Sequence, residues 1–329
     1  MTDVVERLLA VQGQDARGVR LAIRARTQGL RTADVDEQLT VERSILITWL
    51  NRGTLHLVAS PDYWWLHSLT TPPLLTGNTR RLSEEGVSPA DAERGVAIVE
   101  DALTRHGPMT RSALGERIAK AGIRVQGQAL IHLLFLACLR GIAVRGPMLG
   151  SEHAYALVRD WLGPPPPRID RDVALARLAQ RYFKGHGPAN DRDLARWAGL
   201  PLRDVRRGIA AIATTLTQRA DGLLETANRA EHVPLPPPRL LGAFDPLLLG
   251  WTSREFVLGN DQSIVTVNGI FRPFALVRGR AVATWGMPHG QVVLAPFLDL
   301  SAADSSALQL DAKDVLRFLS PVPLDGLPA

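Results

Sequence analysis

Two glutamines one residue apart, Gln12 and Gln14, stand in Val11-Gln12-Gly13-Gln14-Asp15, within an N-terminal stretch otherwise rich in Arg and Leu. A glutamine side chain does not titrate, so the pair is unsuited to general acid or base work. Each amide offers one acceptor oxygen and two donor hydrogens, enough to hold a water molecule or a base edge. The alternative is local: a polar loop ahead of a helix starting near Asp15, itself a good N-cap.

Cationic residues flank the pair. Arg17, Arg20 and Arg24 follow at i, i+3 and i+7. That spacing puts them on one helix face, the stripe that phosphate positioning requires, or an ordinary solvated face. Arg52, Thr54 and His56 lie on a hairpin signal, in which 45–50 and 54–58 alternate around Asn51-Arg52-Gly53. Thr54 and His56 share one face and Leu55 and Leu57 the other. The polar pair is expected to face a groove and the leucines a core; an exposed strand face with a satisfied histidine is the alternative. Arg203, Arg206 and Arg207 form a second basic cluster, and Arg272 is a further expected DNA contact. No H-E-x-x-H pair, Walker loop or dinucleotide Gly-rich loop is present, so neither a metal site nor a cofactor is expected.

The wider motif set bears a resemblance. Gln12-Gly13-Gln14, the run from Trp49 through Asn51-Arg52-Gly53-Thr54-Leu55-His56 to Val58, Ala243-Phe244-Asp245-Pro246 through Gly250, and Asn268-Gly269-Ile270-Phe271-Arg272-Pro273 occur together. The combination resembles the bacterial winged-helix DNA glycosylases of the azinomycin-resistance, AlkZ-like family, from about Val4 to about Met287. The resemblance implies that Gln12 and Gln14 are the catalytic pair. A larger apolar residue usually separates the glutamines in that family, where this chain has Gly13. A sister branch carries Asp in place of the second Gln; this chain has Gln14. Asp245 is expected to order the turn before Pro246.

The implied chemistry suits amides. Alkylation at N7 or N3 places positive charge on a purine and weakens its glycosidic bond. Departure then needs a water held on the sugar face and a polar setting for developing charge, more than it needs proton transfer.

Composition bounds the rest. The 329 residues carry a net charge of +5, with a pI near 9.9. The cations are nearly all Arg, the only lysines being Lys120, Lys184 and Lys313. Arginine's planar fork suits phosphate, although a GC-rich genome also enriches it. One cysteine, Cys138, in an apolar run excludes an intrachain disulfide framework. No signal-peptide pattern or membrane-length apolar run occurs, so a cytoplasmic monomer, with no membrane contact, is expected.

Two proline runs, 164–167 and 234–238, divide the chain. Helix 93–105, His106-Gly107-Pro108, a capping Thr110, a helix over 126–139 and extended pieces 142–145 and 154–158 form one unit. Helix 173–183, His186-Gly187-Pro188, a capping Asn190 or Asp191, a helix over 202–212 and extended pieces 216–219 and 223–226 repeat it. Helix, turn, helix and a two-stranded wing is the winged-helix plan. A third copy leads the chain, with short helices at 35–38 and 41–45 before the hairpin. The last block is β-rich over 263–277, 281–285 and 291–297, then helical over 302–319. The expected fold is α+β: three tandem winged-helix units (1–92, 93–162, 168–233) followed by a C-terminal β-barrel-like domain with a closing helix (239–329).

The function these readings imply is a monofunctional, metal-independent DNA glycosylase. Its partner would be double-stranded DNA carrying an alkylated purine. Two rivals share the fold. A non-catalytic winged-helix regulator would dimerise on palindromes; a protein-binding scaffold would lack salt-dependent DNA affinity.

Overall fold

The computed structural model describes residues 1–229, 233–261 and 263–320. The ends of the expected 168–233 and 239–329 blocks, at 230–232 and 321–329, lie outside the described residues. The chain is α+β.

Capping sets the N-terminal elements. Helix α1 (Thr2–Leu8) leads to a two-residue strand, β1 (Val11–Gln12), and Asp15 caps α2 (Ala16–Arg24) by accepting from Gly18 N. Only glycine fits at 18, because a Cβ would lie 2.3 Å from Ala243 O. One helix, α3 (Thr32–Thr40), replaces the two short helices expected at 35–38 and 41–45. The sheet claims the second of these: Ser60 N donates to Ser44 O and Ile45 already pairs with Ala59. The expected hairpin forms from β2 (Ile45–Leu50) and β3 (Thr54–Ala59). Its turn places Asn51 and Gly53 at φ 54° and 81°, the left-handed region that Asn and Gly tolerate best. Helices α4 (Tyr63–Thr70) and α5 (Pro72–Glu84) follow.

The next two segments share one order. The first has α6 (Pro89–His106), α7 (Arg111–Lys120), α8 (Ala129–Leu139), β4 (Ala143–Leu149) and β5 (Glu152–Leu157), then a short α9 (Val158–Leu162). The second has α10 (Arg171–His186), α11 (Asp191–Ala198), α12 (Leu202–Ala211), β6 (Leu216–Gln218) and β7 (Leu224–Thr226). Thr110 caps α7 and Asn190 caps α11, the latter in a reciprocal capping box with Asp193. In each segment the residue before the cap bridges to the second strand, Met109 to Tyr155 and Ala189 to Leu224. The likeness therefore extends to backbone pairing.

The strands do not stay within their blocks. β2 pairs with β4 at Ile47 and Arg145, making one antiparallel sheet of order β1-β3-β2-β4-β5. Both faces of its β1–β3–β2 part are covered. Val11, Ile45, Ile47, Leu57 and Ala59 pack with α2 and C-terminal residues including Val277, Val315 and Phe318. Leu46, Leu50 and Val58 pack with Leu175, Leu178 and Tyr182 of α10 and Trp197 of α11.

The C-terminal block departs from the barrel expectation. Strands β8 (Arg239–Leu241), β9 (Phe274–Val277), β10 (Arg280–Gly286) and β11 (Val293–Pro296) form a sheet of order β11-β10-β9-β8. Among the described residues β8 and β11 are its edges and the sheet is not closed. A four-residue helix, α13 (Glu255–Leu258), precedes β9. Over 263–277 only the last four residues form a strand; before them, Val265 and Phe271 make an isolated bridge. Helix α14 (Ala302–Leu319), at the expected position, serves the β8 edge: Asp311 accepts from Leu240 N at 2.7 Å.

Asp311 also binds Arg24, and both side chains are 2% exposed. Arg24 Nε donates to Asp314 at 2.9 Å, and Arg239 reaches Asp311 at 2.8 Å. Removing Arg24 leaves the buried Asp311 carboxylate with Arg239 as its one cation among the described residues. Arg24→Ala is expected to cost about 3–5 kcal/mol of folding free energy in urea unfolding. A loss below ~1 kcal/mol, the scale of a surface pair, would show the interaction to be dispensable.

Candidate active site at the edge of the N-terminal sheet

The site is built on the β1 edge. Gly13 N donates to Leu55 O at 2.7 Å, continuing the β1–β3 ladder one step past Gln12. Gln12 lies opposite His56, and His56 lies opposite Thr48 across the next pair, so three polar residues cross one face of three strands. Gln12 is nearly buried, at 8% exposed, whereas Gln14 is exposed in the bend before α2. The two glutamines therefore differ: one is held in the sheet and one reaches solvent.

Arg52, at the hairpin tip, ties the sheet to α11. Its guanidinium donates to Arg196 O at 2.9 Å, to Trp197 O at 2.7 Å and to Gln12 Oε1 at 3.4 Å. Asn51 comes so close to the turn after α11 that a Cβ on Gly199 would lie 2.8 Å from Asn51 O. Gly199 is also left-handed, at φ 67°. Desolvation, followed by the charges of Arg196 and Arg254, lowers the Arg52 pKa from its usual value. Arg254 is lowered in the same way, by desolvation and then by Arg196.

His56 is 3% exposed and its Nδ1 lies 2.9 Å from Thr54 O. A carbonyl only accepts, so Nδ1 carries the proton and Nε2 is left as an acceptor. Burial first, and then the Arg52 charge, push its pKa down to about 3, against the opposing effect of the Thr54 hydrogen bond. The expected alternation holds, with Thr54 and His56 on the face opposite Leu55 and Leu57. The polar face, however, turns toward α10 and α11 and not to an open groove. Thr48 Oγ1, Thr54 Oγ1 and both amide atoms of Asn51 are buried there with no protein partner among the described residues.

The arginine stripe divides. Arg17 is exposed, with Nη1 3.9 Å from Met287 Sδ. Arg20 and Arg24 correct the expectation of phosphate contacts, because both are buried and paired. Arg20 binds Asp36 and donates to Ala16 O at 2.8 Å, with His153 Nε2 at 3.2 Å; Arg24 is the α14 tether. Shared helical spacing placed these two on the inward face. Arg203, Arg206 and Arg207 lie exposed on α12, each beside a carboxylate: Asp204 at 3.3 Å, Asp191 at 2.7 Å and Asp172 at 2.5 Å. Arg272 is exposed before β9, away from the hairpin in sequence, its backbone N–H bound to Ile264 O. Asp245 orders its turn as expected, accepting from Leu247 N at 2.9 Å, and its wholly buried carboxylate also takes both Arg26 nitrogens.

Arg196, Arg254 and Thr48 were not singled out in the sequence. Thr48 carried a readable signal, a polar residue in an otherwise apolar strand; the two arginines carried none in so Arg-rich a chain.

The chain belongs to the AlkZ-like DNA glycosylase family, whose model matches residues 5–318. An interstrand DNA cross-link repair glycosylase of Streptomyces sahachiroi is 28% identical, over 96% of this chain and 90% of the relative. The solved structure of the Streptomyces sahachiroi DNA glycosylase AlkZ superposes with a TM-score of 0.77 at 24% identity, covering 98% of this chain and 92% of that one. That structural likeness establishes a shared fold.

Two outcomes follow from the local geometry. A Cβ at Gly13 would sit 3.6 Å from Leu55 O, an ordinary contact, and Gly13 is not among the positive-φ glycines. Gly13→Ala is thus expected to fold and to gain about 0.4–1 kcal/mol in urea unfolding, through a less free unfolded chain; a loss would reveal strain at this bend. For His56, an unfolded imidazole takes its proton near pH 6.5, while the folded site withholds it until about 3. Between those values the unfolded chain binds more protons, so stability is lost as pH falls from about 6.5 toward 3. The His56 ring resonances should show no titration between pH 5 and 8; a midpoint inside that range would refute the neutral assignment.

Proposed function

We propose that the protein is a DNA-repair glycosylase. It hydrolyses the N-glycosidic bond of cationic alkylated purines of the N7-alkylguanine type, including bulky adducts and interstrand cross-links, and leaves an abasic site. The carrying observation is the Gln12–Gln14 pair, one amide seated in the sheet edge beside neutral His56 and Arg52 and the other exposed. Family membership supports the reaction class, and the likeness to an interstrand DNA cross-link repair glycosylase of Streptomyces supports the cross-link.

The chemistry assigns the glutamines to water. An amide oxygen has two acceptor sites; Arg52 occupies one on Gln12 and orients the group, leaving the other for water. As the C1′–N bond breaks, its electron pair neutralises the cationic purine and the sugar acquires oxocarbenium character. Water attacks C1′ and its proton passes to solvent. A leaving group already charged needs no Lewis acid and no lysine adduct, so the reading is monofunctional and metal-independent, with the protein acting as a monomer. The three helical blocks ahead of the C-terminal sheet are assigned as winged-helix units lying around duplex DNA. Arg17, Arg52, Arg203, Arg206, Arg207 and Arg272 are the proposed contacts; Arg20, Arg24 and His56 are buried, as is the Thr54 hydroxyl, so none of these four reaches DNA in this arrangement.

Single-turnover release of an N7-alkylguanine from duplex DNA, with chelator present, tests this reading. Gln12→Ala and Gln14→Ala are each expected to slow release about a hundred- to thousand-fold, the effect of removing one preorganised polar group, with DNA affinity nearly intact. Gln14→Asp should be milder, since a carboxylate also holds water. Full activity in the double Ala variant overturns the catalytic assignment. No release from methylated, bulky and cross-linked substrates alike, with binding retained, favours a non-catalytic DNA binder.

A further inference from the structure

We propose that Arg52, Arg196 and Arg254 form one phosphate-binding site at the mouth of the glutamine pair, which grips a DNA backbone phosphodiester next to the damaged nucleotide. The proposal rests on the DNA-binding reading above and adds to it two residues, Arg196 and Arg254, and a defined ligand group.

Three parts of the chain bring the guanidiniums together. Arg52 lies at the hairpin tip and is anchored on the backbone carbonyls of Arg196 and Trp197, at the end of α11. Arg196 is exposed in the last turn of that helix. Arg254 follows a segment docked on the same helix: Thr252 N donates to Asp193 at 2.8 Å, and His186 stands between Trp197 and Trp251 at ring distances of 5.4 and 5.8 Å. Arg254 itself is fixed by Leu248 O at 2.7 Å and by the Phe271 ring, 4.9 Å from its Cζ.

Among the described residues no carboxylate pairs with any of this trio, and the three converge on one place, the end of α11. Arg20, Arg24, Arg26, Arg203, Arg206 and Arg207 each have a carboxylate partner. Among the described residues, Arg52, Arg196 and Arg254 pair only with carbonyls, an amide oxygen or a ring, if at all. Desolvation first, and then their mutual repulsion, lower the pKa of Arg52 and Arg254. Holding like charges together costs free energy, and an anion between them recovers it. A guanidinium fork matches two phosphate oxygens. Because Arg52 also touches Gln12 Oε1 at 3.4 Å, a phosphate held here is set one side chain from the proposed catalytic amide.

The test measures affinity against salt for a duplex oligonucleotide carrying one tetrahydrofuran abasic-site analogue. Arg196 is exposed and its side chain makes no hydrogen bond or ion pair among the described residues, so Arg196→Ala and Arg196→Glu should fold as the parent does; Arg254→Gln is followed with a melting curve. Each is expected to make the log–log salt slope shallower by about 0.9, one phosphate contact. Arg196→Lys should keep the slope, and Arg105→Ala, on α6, should leave it unchanged. Replacing the phosphate beside the analogue by an uncharged methylphosphonate should weaken the unaltered protein and make it insensitive to Arg196→Ala. Parent-like slopes in Arg196→Ala and Arg196→Glu, with salt-dependent binding by the unaltered protein, overturn this site and leave the glycosylase reading standing. Absence of salt-dependent binding by the unaltered protein overturns both.

Discussion

The site depends on a sheet covered on both faces. Strands β2 and β3 have the C-terminal block against one face and α10 and α11 against the other, so polar groups on them must be satisfied or used. Gln12 escapes full enclosure because β1 is an edge strand two residues long. The Gly13–Leu55 hydrogen bond extends the ladder to the point where the chain turns out. Register then does the positioning: a slip of one residue would turn Gln12 to the face now lined by Leu57 and Ile47, away from His56 and Thr48. One short strand thus places one amide in a low-dielectric wall and its neighbour at the surface.

The same residue type does two jobs, separated by where the carboxylates are. Arg24 and Arg26 are tethers whose charges are met by Asp311, Asp314 and Asp245, and they tie α2 and the turn after it to the C-terminal block. Desolvating such pairs costs several kcal/mol per ion, which good geometry only offsets. Their gain is a fixed relation between blocks that share little continuous chain. Around Arg52 the arrangement is reversed. The charges are left unmatched, and carbonyls at the negative end of α11 hold the hairpin tip in place.

Much of this was legible in the sequence. Asn51-Arg52-Gly53 marked the hairpin, the His-Gly-Pro repeats marked two like segments, and α14 was placed to the residue, because turn chemistry and apolar spacing are local signals. The strand pairing of β2 with β4 was not legible, since it joins residues about a hundred apart through one bridge, Ile47 with Arg145. β8 was hidden behind the 234–238 proline run, and the 263–277 stretch was β-rich in composition yet contains one four-residue strand. The Arg17, Arg20 and Arg24 spacing showed a shared face but not its direction; only the carboxylates of Asp36 and Asp311, distant in sequence, turn Arg20 and Arg24 inward. Thr54 and His56 were assigned to the right side of the strand, while the cover supplied by α10 and α11 was beyond any local pattern.

The state of His56 gives the last constraint on how such a site works. Under the proposed reaction, positive charge leaves the base and appears on the sugar, so nearby groups should be polar and uncharged on the sugar side and cationic only where phosphate answers them. A protonated imidazole about 4 Å from an oxocarbenium-like centre would oppose it by ~4 kcal/mol at an effective dielectric of about 20, roughly a thousand-fold in rate. Burial and Arg52 together keep His56 neutral well below physiological pH. Arg52 then has three linked effects: it orients the Gln12 amide, suppresses a competing charge on His56 and contributes to the cationic mouth. Burial does most to keep the site neutral and Arg52 adds to it, while the same side chain supplies part of the charge that the proposed phosphate would meet.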